Sequence, residues 1–193
     1  MSYPASLQIN TPERIANWRP LVHWLLLIPH HVVLAVLAVV SSVVGVISWI
    51  VILFTGKLPA GLAGFQAMYL RYSTVVWAYA YFLIDQYPPF DFDTSPADAG
   101  RSQTSVSFSP ALEGRNRLTV LLRPITVIPA YIFNLIIVVI ATVCIILGFF
   151  AVLFTGRWPD GLRRFVVGSH LVSLRYFTYG LLLTDEYPPF SMD

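Results

Sequence analysis

Apolar residues in this chain gather into four long runs divided by short polar stretches, and the same order occurs twice. The first run of each half extends from about residue 20 to 54 and from about 124 to 154. A bilayer crossing takes about 20 helical residues, so each of these runs exceeds one untilted span. Proline cannot continue helical bonding and clashes with the preceding turn, which makes Pro29 and Pro129 the expected breaks. The pattern therefore predicts short interfacial helices over 18–28 and 118–128, then spans over 30–54 and 130–154. The second runs, 65–84 and 165–184, are just long enough to cross, although Arg71 interrupts one and His170 and Arg175 the other. Alternating segments at 5–10 and 105–109 read as strands. They belong outside the bilayer, because open sheet edges find no hydrogen-bond partners in hydrocarbon.

The halves are duplicates. FTGKLPAGLAGF at 54–65 returns as FTGRWPDGLRRF at 154–165, and DQYPPF at 85–90 returns as DEYPPF at 185–190. Pairing 21–90 with 121–190 without a gap leaves 21 of 70 positions identical. The expected fold is an all-α polytopic membrane protein of two tandem two-span modules with small extramembrane strands. Module 1 covers 1–93, a linker 94–104, and module 2 105–193. Two spans per module return the chain to its starting side. Both modules should then share one orientation, with the termini and the segment 91–117 on one face and the hairpins carrying Lys57 and Arg157 on the other. An inverted repeat of the transporter sort is disfavoured. Six cations on the terminal face (Arg14, Arg19, Arg101, Arg115, Arg117, Arg123) against four at the hairpins (Lys57, Arg157, Arg163, Arg164) lean towards cytoplasmic termini.

Composition sharpens the class. Hydrophobic residues make up 56% of the 193 and charged residues 11%, where a soluble domain carries about 25% charged. An ordinary soluble enzyme is excluded. A net charge of +2 gives no nucleic-acid surface. The single cysteine, Cys144, rules out an internal disulfide. The first twenty residues hold Pro4, Pro12 and Pro20 and no apolar core ahead of a small-residue site, so no cleavable signal peptide is expected within them.

Candidate chemistry is sparse. In each FTG[K/R] hairpin the glycines and a proline make a turn, and Lys57 or Arg157 stands at the membrane edge where a cation meets lipid phosphate. A phosphate-binding loop is rejected, since its glycine framework is missing. In each DxYPPF box the proline pair, Pro88-Pro89 or Pro188-Pro189, stops the helix. Tyr87 and Tyr187 suit the interface, and Phe90 and Phe190 fold an apolar group back. Asp85 and Asp185 are candidates for an ion pair with Arg14 or Arg115, or for docking a partner. Arg71 and Arg175 differ by one helical turn in repeat position, so each module aims one guanidinium at a polar zone, an interhelical pair or a lipid phosphate. The histidines, His23, His30, His31 and His170, show no metal-ligand spacing, so no metal or cofactor is expected. Ser41, Ser42, Gly45 and Ser48 form a small-residue face suited to close helix packing.

The chain resembles the bacterial DUF4389 membrane proteins, found largely in actinobacteria. The resemblance rests on IPHHVVL at 28–34, LFTGKLPAGL at 53–62, FLIDQYPPF at 82–90, and the second-copy LFTGRWPDGL and LRYFTYGLLLTDEYPPF. It implies a duplicated membrane module and brings no established activity. Each module keeps one of the two helix arginines of the resemblance, and Ala130-Tyr131 departs from its Pro-His pattern.

Three functions are open on these residues. The first is a non-enzymatic accessory or scaffold subunit of a membrane complex, with other membrane subunits as partners. The second is a component that binds anionic lipid or takes part in transport, through Lys57, Arg157, Arg71 and Arg175. The third is an envelope enzyme, for which only Asp85, Asp185 and His170 offer any chemistry.

Overall fold

The computed structural model describes residues 3–192. In chain order they form β1 (Ala5–Ile9), α1 (Arg19–Leu26), α2 (Ile28–Thr55), α3 (Ala60–Ala80), β2 (Thr104–Phe108), α4 (Arg117–Leu121), α5 (Arg123–Thr155) and α6 (Asp160–Gly180). Both strands fall where alternation placed them and pair antiparallel, Leu7 opposite Val106.

The proline breaks need correction. In the first half the chain breaks at Leu27, so Pro29 lies in the first turn of α2, where its missing N–H would have had no partner anyway. In the second half the break falls at Leu122, and Pro124 takes that first-turn place. Pro129 sits inside α5. The expected helix over 118–128 is therefore only the five-residue α4, capped by the Asn116 side chain, which accepts from the Leu118 and Thr119 amides.

The helices α3 and α6 begin about five residues earlier than expected, straight after Pro59 and Pro159, and end four earlier. Each closes identically. Phe82 (φ +60°) and Leu182 (φ +67°) take the left-handed conformation. The amides of 83 and 183 return to the carbonyls of 78 and 178, and those of 82 and 182 to 79 and 179. Such a stop ordinarily uses glycine, and a larger residue there costs about 1–2 kcal/mol. Burial of both side chains, 7% and 3% exposed, offsets that cost.

Packing stacks the elements in three layers. On α3, Gly64, Arg71 and Tyr72 face the strands and the segment 90–106, while Gln66, Ser73 and Trp77 lie on the opposite side. The helices α3 and α6 thus form a middle layer, with β1, β2 and the connector above and α2 and α5 below. Along α5 the buried positions Ala130, Asn134, Ile137, Ala141, Cys144, Gly148 and Val152 make one stripe against α6. Exposed Ile132, Val139, Ile146 and Phe150 make the opposite one. The helix α2 repeats this, burying His30, Leu34, Ser41, Ser48 and Ile52 and exposing Val32, Val36, Val39, Val43 and Val46. Both are long and apolar enough to cross a membrane. The helix α3 is largely buried in protein.

The modules are inverted with respect to each other, which corrects the shared orientation expected from counting spans. Tyr81, at the end of α3, meets His170 near the middle of α6, and Trp158, just before α6, donates to the Phe82 carbonyl. So α3 and α6 run antiparallel. Each is antiparallel to its own long helix, as the pairs His30–Tyr72 and Asn134–Ser173 require, and α2 and α5 therefore oppose each other too. Nor do the hairpins sit apart from the connector. Leu58 N–H donates to Leu112 O, Arg115 N–H to Gly56 O, and Lys57 pairs with Glu113 at 3.0 Å. At the other end of the molecule Ile15 N–H donates to Gly156 O. Span counting failed because it assumed that a linker joins its modules on one side of a bilayer. Here residues 91–116 run the length of the molecule.

Candidate functional site

The inversion creates two equivalent ends, each built from one FTG hairpin, one YPPF box and the chain entering the other module. At the end holding Asp185, the carboxylate accepts a fork from Arg115, Nε to Oδ2 at 2.8 Å and Nη2 to Oδ1 at 2.7 Å. Arg123 adds Nη2 to Oδ1 at 2.6 Å. Both guanidiniums are buried, and Arg115 also donates to Leu182 O while Arg123 donates to Tyr179 O and Thr184 O. Burial works to raise the Asp185 carboxyl, but the hydrogen bonds and charges of Arg115, then Arg123, outweigh it and hold it below the usual carboxylate range. Arg115 was a named candidate partner for the aspartates; Arg123 was counted only as a surface cation.

At the other end Asp85 takes an amide instead. Gln103 Nε2 donates to Asp85 Oδ1 at 2.8 Å, and its Oε1 accepts from the Asp85 and Gln86 amides. Arg19 donates to the Asp85 main-chain carbonyl. His23, the repeat counterpart of Arg123, stacks on Tyr79 at 3.9 Å and bonds its carbonyl at 2.9 Å. Arg123 lies over Tyr179 at 3.7 Å and donates to the equivalent carbonyl, that of Tyr179. Burial pushes the His23 imidazole down to about 4, so it is neutral at pH 7. The boxes fold back as expected: Phe90 stacks on His30 at 4.3 Å, Phe190 meets Phe133, and Tyr87 Oη donates to Leu26 O. Pro88-Pro89 and Pro188-Pro189 lie in the irregular turns that make this return, with Tyr187 against Tyr179.

Arg71 is not available to lipid phosphate, contrary to expectation. Its guanidinium donates to five main-chain carbonyls, those of Val106, Asp93, Ser95, Pro96 and Ala97, at 2.7–3.2 Å. It pins the segment after the first YPPF box onto α3. Arg175 does a related job one turn further along its own helix, donating to the Ser191 carbonyl after the second box and lying over the Tyr3 ring. Sequence could not find these partners, because main-chain carbonyls leave no residue-type signal. Lys57 and Arg157 stand exposed at the hairpins as expected, Lys57 loosely paired with Glu113.

A groove of about 210 Å³ lies at the pseudo-twofold crossing of α3 and α6, walled by α5. Paired positions line it: Tyr69 with Ser169, Ser73 with Ser173, Trp77 with Phe177. Its hydroxyls are engaged locally, Ser173 with Asn134 and Ser169 with the Val166 carbonyl. No grouping of three or more His, Cys, Asp or Glu suited to a metal ion occurs among the described residues. The histidines lie in separate packing roles, His31 against Trp77 and His170 against Tyr81. Asp85 and Asp185 stand at opposite ends of the molecule, so they cannot act as a carboxylate pair.

No curated protein and no solved structure matches the chain. The model of a domain of unknown function, DUF4389, matches twice, over residues 17–91 and 117–192. Each match takes in one short helix, one long helix, its hairpin, one buried helix and one YPPF box, so the duplication is of the whole domain and the chain belongs to the DUF4389 family.

Proposed function

We propose that the protein is a non-enzymatic accessory or scaffold subunit of a membrane complex, held in one leaflet by α2 and α5 lying along the membrane plane. One observation carries the seating: the connector runs parallel to the long helices. It is bonded near Asp85 through Gln103 and near Gly56 through Arg115, and α2 between those ends is about 42 Å long. Were α2 to cross hydrocarbon, the connector would cross beside it, taking Asp91, Asp93, Asp98 and Arg101 with it. Charges at that depth cost at least about 2.5 kcal/mol each, and the open edge of β1 adds more. Laid flat, the two apolar stripes meet acyl chains while all polar loops stay on one side, the hairpins and both ends of the described chain included. The four-span arrangement has no place in this reading, because α3 and α6 are clothed in protein.

What supports the scaffold role is where the charges go. Arg71, Arg115 and Arg123 are consumed in holding the chain's own backbone and Asp185, which rigidifies the frame and leaves these guanidiniums out of any reactive cluster among the described residues. Anionic lipid is the second reading, favoured by the exposed Lys57 and Arg157 at the ends of the long helices. In the proposed seating the polar loops face the cytoplasm.

Single cysteines at Lys57 and Arg157, in a Cys144→Ala background, test the seating by labelling in sealed vesicles with an impermeant maleimide. Lying helices expose both from the same side. Crossing helices, being inverted, expose them from opposite sides and would overturn the seating. Native mass spectrometry of gently extracted protein tests the role, a partner at fixed stoichiometry supporting the scaffold and bound anionic lipid alone supporting the second reading.

A further inference from the structure

The two strands are related by the pseudo-twofold, yet their outer edges are treated differently. The ladder between them uses Pro4 with Ser109 and Asn10 with Gln103, so alternate residues, Ala5, Leu7 and Ile9 on β1 and Thr104, Val106 and Phe108 on β2, turn their backbone groups outward. The β2 edge is covered. Phe108 N–H donates to Pro96 O, Val106 N–H to Asp98 Oδ2, and Val106 O accepts from Arg71. Residues 93–98, Asp-Thr-Ser-Pro-Ala-Asp, lie in the groove between β2 and α3, with Thr94 against Gly64.

The corresponding groove between β1 and α6 is open. Leu7, Ile9 and Thr11 form one wall, Arg164, Val167 and Leu171 the other, around about 720 Å³. Among the described residues nothing bonds the outward N–H and C=O of Leu7. Met192 packs on Gly168 at the mouth, where Phe92, its repeat counterpart, enters the filled groove. Leu171 stands where Arg71 stands, and Arg164, exposed and without an ion pair among the described residues, stands where Gly64 does.

We propose that this groove binds an extended, acidic peptide segment of a partner protein as an added strand on β1. This names a partner class for the scaffold reading and rests on it. A precedent is in the molecule: residues 93–98 fill the twin groove, bending at Pro96 and Ala97, and satisfy the strand edge with one carbonyl and one carboxylate. Edge addition supplies affinity through main-chain bonds, and an unpaired edge is a site that folded proteins otherwise cover. Arg164 supplies the charge that selects an acidic occupant in place of the guanidinium that Leu171 lacks.

The probe is a fluorescent peptide, Asp-Thr-Ser-Pro-Ala-Asp-Ala, taken from residues 93–99, titrated by anisotropy onto the full chain in micelles. Saturable binding below about 1 mM is expected. Leu7→Pro removes the outward N–H together with the leucine wall and should abolish it, whereas Leu7→Ala, which keeps the N–H, should retain saturable binding. Arg164→Glu should weaken it about tenfold, and Leu171→Arg, which rebuilds the clamp, should strengthen it about tenfold. Absence of binding to both the native chain and Leu171→Arg overturns the proposal, as does binding unaffected by Leu7→Pro. Concentration-dependent dimers that block the peptide would assign the edge to a second copy instead and equally overturn it. None of these outcomes alters the vesicle labelling, so failure here and failure of the membrane seating are distinguishable.

Discussion

The two ends of the molecule share a backbone and differ in chemistry. At one, Asp185 is locked by two buried arginines; at the other, Asp85 is held by one glutamine. Arg123 and His23 lie over equivalent tyrosines and bond equivalent carbonyls, one as a cation and the other as a neutral ring. A similar exchange runs through the helix seams. Gly148 makes room for Trp158, where a methyl group would lie 2.0 Å from the indole. The first module has Ser48 and a smaller Leu58 at the corresponding positions. Module 1 buries a Ser41–Gln66 pair, for which module 2 has Ala141 and Val166. What duplication preserved is the turn geometry of the FTG hairpin and the YPPF box. The contacts around those turns were rewritten in complementary pairs, so the shape depends on pair sums rather than on any one residue.

The difference can be broken at its strongest point first. Asp185→Asn leaves two buried guanidiniums uncompensated and should cost about 3–5 kcal/mol, whereas Asp85→Asn exchanges one neutral-donor bond and should cost about 1 kcal/mol. Thermal unfolding in detergent reads both, and equal losses would erase the contrast. Next, Gly148→Ala should cost about 1–3 kcal/mol by overpacking, with Trp158→Leu in the same chain restoring much of it, as the Ser48–Leu58 pair implies. Acid should open the ends in order. His23 binds its proton more readily unfolded, so the stability it gives is complete above 6.5 and is lost as pH falls towards about 4. The depressed Asp185 gives stability that is complete above 3.8 and lost as pH falls through its lower folded value. Hydrogen exchange at 82–84, corrected for intrinsic rates, should therefore accelerate before that at 182–184, and His23→Gln should remove the lead. Smallest of all, Lys57→Ala should change stability by less than about 1 kcal/mol, because its pair with Glu113 is exposed on both sides.

How much of this was legible in the sequence depended on whether a feature is written in residue type. The duplication, both strands and the long apolar runs are repeats and periodicities, and they can be read directly. The ion pair of Asp185 with Arg115 was among the candidates because both residues are charged and near equivalent box positions. The stops at Phe82 and Leu182 were hidden, since a left-handed residue normally announces itself as glycine. Arg71 looked like a lipid or interhelical group because its five carbonyl partners carry no signature. The inversion of the modules was hidden for a deeper reason: hydropathy gives the number of apolar segments, not the direction in which two folded modules dock.

That inversion is the central claim, and the distance between spin labels at Lys57 and Arg157 tests it most directly in the full chain. Antiparallel modules put the hairpins at opposite ends of the long helices, on the order of 40 Å apart. A single population near 40 Å or beyond is the predicted result. A population below about 20 Å, which side-by-side modules with adjacent hairpins would give at ordinary helix spacings, would contradict the account.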